Sequence, residues 1–205
     1  MEDHAGRCCV IDGAFDPALV HAAADVWPAA DAPWVRYDTP IERKAALHQW
    51  EHIPQPCAQL LGLMAALPAC ERLGIPPAVP DLSLYGAGLH AMEHGGHLGM
   101  HLDADRHKRL GFERAANAIL FLSDWREEWG GALELRTADP PLRIFPAFNR
   151  LVLFATTALH GVPEPLECPP EVSRKSLALY WWRPAEAAGV RPRAVFFQGG
   201  REVER

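Results

Sequence analysis

Long apolar runs and an excess of basic charge are both missing from this chain of 205 residues. No stretch approaches the ~18 consecutive apolar residues that a membrane-spanning helix needs. The start, Met1-Glu2-Asp3-His4, lacks the basic region and apolar stretch of a leader peptide. The net charge of -6 disfavours binding to nucleic acid or to anionic membranes. We therefore expect a soluble, cytoplasmic protein with neither kind of partner, and no pattern indicates an oligomeric state.

Paired cysteines are also missing. The five cysteines are odd in number and scattered, and no Cys-x-x-Cys pair occurs among Cys8, Cys9, Cys57, Cys70 and Cys168. This pattern indicates neither a disulfide framework nor a thiolate zinc site. We expect these thiols to be reduced and structural.

Helical signals are concentrated in the first eighty residues, after a short predicted strand at 8–11. Asp16-Pro17 supplies an N-cap followed by proline at the first helical position. A second helix is predicted from Gln55 to Leu73, with an apolar stripe along one face and Gly74 as its stop. These helices are expected to buttress a sheet.

Short apolar or alternating runs divided by Gly and Pro begin at Asp81. Eight of them are predicted as strands, namely 82–85, 98–103, 116–122, 132–135, 142–145, 151–155, 160–162 and 175–182. Such a series is typical of a sandwich or jelly roll. We predict one domain over 1–205, with a helical buttress at 1–80, a jelly-roll core at 81–182 and a loosely packed C-terminal extension at 183–205.

One His-x-Asp pair, His101-Leu102-Asp103, occurs in the chain, where about 0.5 would be expected by chance. On a strand, residues two apart point the same way, so both side chains can bind one metal. His160 follows after fifty-six residues, which leaves room for several strands to fold between them. Two imidazoles and one carboxylate form the facial triad that selects non-heme Fe(II) and leaves three positions open.

An Arg-x-Ser pair, Arg174-Lys175-Ser176, lies fourteen residues beyond His160. By strand periodicity Arg174 and Ser176 share one face, and Lys175 points to the other. A planar guanidinium can make two parallel hydrogen bonds to a carboxylate. The sequence therefore predicts a dicarboxylate site next to the metal.

These residues together resemble the Fe(II)/2-oxoglutarate-dependent dioxygenases, in particular the bacterial branch similar to the catalytic domain of prolyl 4-hydroxylases. The resemblance runs from about Asp81 to Trp182 and includes Gly95 through Asp103, His160-Gly161-Val162-Pro163 and Ser173 through Tyr180. It implies a mainly β fold, the double-stranded β-helix or jelly roll. It also implies Fe(II), 2-oxoglutarate and O2, with ascorbate as a reductant.

The activity that this resemblance implies is hydroxylation of an unactivated C–H bond, with release of succinate and CO2. His101, Asp103 and His160 would hold the iron and perform the chemistry, and Arg174 and Ser176 would bind 2-oxoglutarate. Asp103 also argues against a halogenase, because the halogenases of this family lack that carboxylate. The alternative is a non-catalytic metal-binding jelly roll that senses or stores, in which the Arg174-Ser176 pair would be needless.

Several other residues have two interpretations. Asn117 either contributes to 2-oxoglutarate binding or is a structural amide satisfied by the backbone. His97 and His101 could form a helical zinc pair, although Gly95, Gly96 and Gly99 disfavour a helix. Trp125 and Trp129 flank an acidic loop and either cover the site or pack in the core.

The substrate is left open by the sequence. Prolyl hydroxylases usually carry tyrosine where Met92 stands, and a lysine where this chain has Arg174 after an insertion, which weakens the expectation of proline. A peptide side chain, a free amino acid and a natural-product intermediate all remain compatible. A rim of His97, Asp105, Trp125 and Trp129 would favour a cationic or amphipathic substrate.

Overall fold

Antiparallel strands dominate the computed structural model, which describes residues 2–4, 8–104, 106–107, 111–137, 139–185 and 193–203. The strands of these residues are β1 (Glu2–His4), β2 (Cys8–Ile11), β3 (Val35–Thr39), β4 (Glu42–Leu47), β5 (Val79–Pro80), β6 (Gly88–Met92), β7 (His97–Leu102), β8 (Phe112–Phe121), β9 (Leu133–Leu135), β10 (Leu142–Ile144), β11 (Arg150–Ala155), β12 (His160–Val162), β13 (Arg174–Pro184), β14 (Val195–Gln198) and β15 (Arg201–Val203). The helices are α1 (Pro17–Asp25), α2 (Gln55–Ala65) and α3 (Ala69–Arg72), with 3-10 turns at Trp50–His52 and Glu127–Trp129.

The strands pair in the order β1-β2-β11-β8-β13-β6-β4-β7-β12-β9-β10, and β4 is the corner of this arrangement. Its residues 45–47 pair with β6, whereas Glu42 and Arg43 pair with β7. The sheet consequently folds over itself, and Phe121 of β8 and Phe154 of β11 pack against Leu133 of β9. The predicted jelly roll is confirmed.

The alternation of side chains along β8 separates the core from the interior of the roll. Ala118 and Leu120 face the helices and pack in one apolar cluster with residues of α1 and α2. Phe121 faces the opposite way and belongs to the cluster between the two layers. This strand therefore supports the helices on one face and lines the interior on the other.

The helix signals are confirmed at their starts. The Asp16 carboxylate accepts a hydrogen bond from the Ala18 backbone N–H at 2.9 Å, and α1 begins at Pro17. The predicted second helix is interrupted around Pro68, which cannot donate a backbone hydrogen bond and disfavours helical geometry in the residue before it. Gly74 adopts a φ of 61° and ends the segment, as predicted. Among the described residues, no helix has both the length and the apolar character to cross a membrane.

One strand prediction is wrong, and several strands, among them β4 and β6, were not expected. The run 82–85 is a turn, in which buried Leu84 adopts a φ of 53°, a value incompatible with a strand. Conversely β4 was not expected, because Glu-Arg-Lys-Ala-Ala-Leu favours a helix locally. Pairing with three neighbouring strands overrides that preference.

The C-terminal extension, expected to be loosely packed, is anchored to the sheet by β14, although most of its described residues 193–203 are exposed or only partly buried. β14 pairs with β7, and Phe196 is buried opposite His101 in that pairing. The Phe196 ring stacks on the His101 imidazole with the centroids 5.1 Å apart. This segment therefore covers one side of a predicted metal ligand.

Candidate metal centre

Two adjacent strands bring the predicted metal ligands together. His101 lies on β7, Asp103 follows the end of that strand, and His160 begins β12 directly opposite His101. All three side chains are buried, and their candidate ligand atoms lie within 4.8 Å of one another. The strand register therefore assembles the group that the sequence predicts.

Backbone carbonyls orient both imidazoles. His101 Nδ1 lies 2.9 Å from the Gly99 oxygen, and His160 Nδ1 lies 2.8 Å from the Ala158 oxygen. A carbonyl only accepts, so each Nδ1 donates to it, and in the neutral ring this leaves the lone pair on Nε2. These Nε2 atoms lie 3.6 Å and 3.5 Å from the carboxylate oxygens of Asp103. The three side chains thus present metal-binding atoms to one point.

The protonation states also suit a divalent cation. Burial lowers the pKa of His160 to about 4, so the imidazole is neutral near pH 7. Burial of Asp103 opposes its charged form, but Arg114 and the nearby imidazoles hold the pKa of this carboxyl well below its usual range. Neutral imidazole and ionised carboxylate are the forms that bind metal.

Asp103 is supported by two residues of β8. The Asn117 Nδ2 donates to Asp103 Oδ2 at 2.7 Å, and Arg114 Nη1 lies 3.1 Å from the same oxygen. The guanidinium of Arg114 lies over the ring of Tyr180 at 3.8 Å and near that of Trp182 at 4.9 Å. The structure thus places Asn117, predicted as a 2-oxoglutarate ligand or a structural amide, beside a predicted metal ligand.

Arg114 was missed because it lies outside the predicted strand 116–122, and because strand periodicity extended back from Asn117 would assign it to the wrong face. Asn117 lies three positions beyond Arg114, which would turn the two side chains to opposite sides of a regular strand. The pairing of β8 with β13 shifts between Trp181 and Trp182, so that Arg114 lies opposite Trp182 and Ala115 is passed over. This bulge returns Arg114 to the interior face. A bulge has no clear signal in a single sequence.

Arg174 lies at the start of β13 and is buried in the interior. Its Nε donates to the Gly131 carbonyl at 3.0 Å, and its guanidinium lies 4.8 Å from the centre of the Phe121 ring. Nη1 has only the Met92 sulfur at 4.0 Å, and Nη2 finds no acceptor among the described residues. Burial lowers the pKa of Arg174 to about 10, which leaves it cationic at neutral pH. A buried cation with unused donors suits an anionic ligand.

The face assignments along β13 are as predicted. Ser176 is buried two residues beyond Arg174 on the same strand. Lys175 turns to the helix side, where its ammonium donates to the Ala24 carbonyl of α1 at 3.1 Å. The Arg-x-Ser pair therefore faces the interior together.

The remaining candidates have other surroundings. His97 lies on a strand, which rules out the helical zinc pair, and its ring nitrogens contact the backbone oxygens of Gly95 and Pro40. Trp125 and Trp129 pack edge to face at 5.3 Å, within the apolar cluster that contains Met92. Asp105 lies outside the described residues.

Comparison with known proteins points to one family. Residues 87–182, just under half of the chain, match the family model described as the 2OG-Fe(II) oxygenase superfamily. A prolyl-4-hydroxylase of Pseudomonas putida is similar at 21% identity and a TM-score of 0.59, over 87% of this chain and 92% of that one. A prolyl hydroxylase of Trichoplax adhaerens, in complex with a peptide fragment of hypoxia inducible factor, is 17% identical with a TM-score of 0.62, over 87% and 84%.

A third structure is HygX of Streptomyces hygroscopicus with nickel, 2-oxoglutarate and hygromycin B bound. It is 14% identical with a TM-score of 0.55, over 87% of this chain and 83% of that one. At these identities the likeness to the three solved structures concerns the fold.

One curated relative shares a shorter stretch. Over 114 residues the chain is 31% identical to phosphoribosylformylglycinamidine synthase subunit PurL of Parafrankia sp. (strain EAN1pec). The stretch covers 54% of this chain and 14% of that protein. Because so little of that protein is matched, its synthase activity is not transferred to this chain.

Gly161 offers a test of the metal-centre geometry. A Cβ at this position would meet the backbone oxygens of Leu98 and Gly99 at 2.7 and 2.8 Å. Gly161→Ala should force β12 away from β7. Because this displaces the contacts that orient the candidate ligands, Co(II) binding should weaken by at least about tenfold. Isothermal titration calorimetry measures the effect.

The matched control is Gly62→Ala on α2, where a Cβ meets nothing within 4 Å. This variant should bind Co(II) normally and gain up to ~1 kcal/mol of stability from helix propensity. Wild-type Co(II) affinity in Gly161→Ala would contradict the described packing of β12 on β7.

Proposed function

We propose that this chain hydroxylates an unactivated C–H bond of a peptide side chain or small metabolite. The premise is that residues 87–182 form a 2OG-Fe(II) oxygenase domain and that the chain is a 2-oxoglutarate-dependent dioxygenase. Succinate and CO2 would be the products from 2-oxoglutarate. The observation that carries this proposal is the buried guanidinium of Arg174, whose Nη2 has no acceptor within the described part of the chain. We take residues 1–205 to be a single domain with this activity.

Three residues would hold the metal. Two Nε2 lone pairs and one carboxylate fit Fe(II), because borderline imidazole nitrogen and a charged oxygen suit this ion and leave open positions. His101, Asp103 and His160 supply them from buried positions. When bound, iron supplies the redox centre at which O2 oxidises 2-oxoglutarate and the substrate, with ascorbate as a reductant. The Gly99 and Ala158 carbonyls orient both imidazoles so that each Nε2 faces the metal position.

Arg174 and Ser176 would bind the distal carboxylate of 2-oxoglutarate. The guanidinium is held by Gly131 and by the face of Phe121, so little side-chain entropy is lost when the anion arrives. Burial strengthens the attraction by excluding water. Ser176 can donate a further hydrogen bond from the same face.

Two of the comparison structures bear on the substrate class. One has a peptide fragment bound, and the other has hygromycin B bound. Met92 stands where prolyl hydroxylases usually have tyrosine, so we do not favour proline. We propose an organic amine, an amino acid or a peptide as substrate. A cytoplasmic location is part of the proposal and is compatible with five free cysteines.

The alternative, a metal-binding protein without activity, leaves Arg174 unexplained. A buried cation without an anion costs several kcal/mol or lowers its own pKa. A sensor or storage site of three ligands needs no such cation, so the dioxygenase accounts for more of the structure.

The first test addresses the metal ligands. Asp103→Ala removes the only carboxylate of the triad and should abolish decarboxylation of 2-oxoglutarate, measured as CO2 released from labelled co-substrate. Asp38→Ala, at an exposed position, should retain wild-type activity. Full activity in Asp103→Ala, with iron bound at wild-type stoichiometry, would refute the assignment.

The second test addresses the co-substrate. Removing one partner of a desolvated charge pair costs about 2–5 kcal/mol, so Arg174→Ala should weaken 2-oxoglutarate binding at least tenfold. Lys175→Ala should not, because Lys175 contacts α1 on the opposite face. Titration of 2-oxoglutarate into the Co(II)-loaded protein measures both variants. Equal losses would mean that Arg174 has no specific role.

The third test addresses the substrate. Succinate formation should be slow with 2-oxoglutarate alone and should rise when an amine, amino acid or peptide is added. DNA and RNA should not stimulate it, since the chain is acidic. O2 uptake screened across these classes gives the answer, and stimulation by oligonucleotides alone would overturn the substrate proposal while leaving the iron chemistry intact.

A further inference from the structure

His90 on β6 has a ring nitrogen that the rest of the protein leaves unused. Its Nε2 atom is shielded from solvent and finds no hydrogen-bond partner among the described residues. A buried polar atom without a partner costs free energy, so its presence in a folded protein indicates a ligand or an ordered water at that place. His90 belongs neither to the predicted metal triad nor to the Arg-x-Ser pair, and its role is open.

The strand register turns His90 toward the interior of the roll. Its neighbour Leu89 packs in the helix cluster, so the His90 side chain lies on the opposite face of the sheet. On one side His90 pairs with Ser176 of β13, which belongs to the Arg-x-Ser pair. On the other side it pairs with Ala46 of β4, which contributes only a methyl group. His90 therefore shares a face with the proposed 2-oxoglutarate site.

The protonation state of the ring limits what it can bind. Burial, together with the charges of Lys44 and Arg174, lowers the pKa of His90 to about 3, so the ring is neutral near pH 7. A hydrogen bond with the Gly86 backbone raises this pKa, which means that the ring donates it. Because Nε2 has no partner, Nδ1 is the donor to Gly86. In the neutral ring Nε2 then carries the lone pair and can only accept.

The Gly86 carbonyl connects His90 with the metal end of the site. This carbonyl also accepts a hydrogen bond from the Tyr180 hydroxyl at 3.0 Å. The Tyr180 ring stacks on the Arg114 guanidinium, which contacts the Asp103 carboxylate. A group bound at His90 would therefore lie within reach of both the co-substrate cation and the metal position.

We propose that His90 is a specificity-determining residue, whose Nε2 accepts a hydrogen bond from an N–H or O–H group of the substrate. The inference rests on the proposed function and narrows its substrate class to molecules that carry such a donor near the oxidised C–H bond. 2-Oxoglutarate does not suit this position, because its carboxylates and keto oxygen only accept hydrogen bonds at neutral pH.

Nitrogen NMR of the histidine rings tests the ring state without any substrate. The His90 signals are those that disappear from the spectrum of His90→Gln. We expect a protonated Nδ1 and an unprotonated Nε2 at neutral pH, as the hydrogen bond to Gly86 requires. A protonated Nε2 would overturn the inference, because the atom could not then accept a hydrogen bond.

O2 uptake by the iron-loaded protein with 2-oxoglutarate tests the contact itself. The probes are amino-acid amides, dipeptides and amino alcohols, each paired with the form in which its N–H or O–H group is methylated. In the unaltered protein kcat/KM should be at least about tenfold higher for the donor-bearing form. His90→Leu should abolish this difference, whereas rejection of the added methyl by bulk alone would persist beside a side chain of similar size.

Two further variants control for structure. His90→Gln, whose amide oxygen also accepts, should restore part of the difference. His52→Leu, at an exposed position, should keep all of it. Circular dichroism checks the fold of every variant, and His90→Phe replaces His90→Leu if the latter does not fold.

The outcomes separate this inference from the proposed function. If His90→Leu discriminates between paired probes as the unaltered protein does, Nε2 holds only an ordered water and the inference alone is overturned. The same is true if His90→Leu weakens 2-oxoglutarate binding to the Co(II)-loaded protein and leaves the discrimination unchanged, since His90 then belongs to the co-substrate site. Absence of 2-oxoglutarate decarboxylation in the unaltered protein with every probe overturns the proposed function and the inference with it.

Discussion

The buried negative charge of Asp103 is the constraint on which the surrounding structure depends. An ionised carboxylate is stable inside a protein only when donors and opposite charge compensate for the lost water. Arg114 and Asn117 supply both, and the imidazoles of His101 and His160 add their fields. The aromatic stack around Arg114 and the bulge in β8 follow from the same requirement, since they bring a cation to the buried carboxylate.

Strand β13 connects the two halves of the site with the core. Its interior face presents Arg174 near one end and the Tyr180 ring that supports Arg114 near the other. Its outer face packs Leu177 and Leu179 in the helix cluster. Because alternate residues share one rigid backbone, packing of the helices against the sheet also fixes the distance between the Arg174 guanidinium and the Tyr180 ring that supports Arg114.

Local periodicity was enough to predict most of this arrangement. Period two placed His101 with Asp103 and Arg174 with Ser176, and β12 begins and ends where the sequence predicts. It failed where tertiary pairing outweighs local preference, as in β4, whose sequence favours a helix. It failed also at Arg114, because the unpaired Ala115 in the bulge reverses which face of β8 the preceding side chains point to. The cover that Phe196 gives to His101 depends on a long-range pairing with no local signal.

The corner formed by β4 has a consequence for how the chain reaches this state. Most of the described strand pairs join segments that are distant in sequence, as when β2 near the start pairs with β11. Such a topology has a high contact order. During folding, the entropy of closing long loops is lost before the favourable contacts between distant strands form. A metal ion held by His101, Asp103 and His160 would not shorten that search, because His160 arrives only when β12 docks on β7. On the proposed function, iron would therefore bind late in folding, and conditions that slow strand pairing lengthen the time during which unpaired edges are open to aggregation.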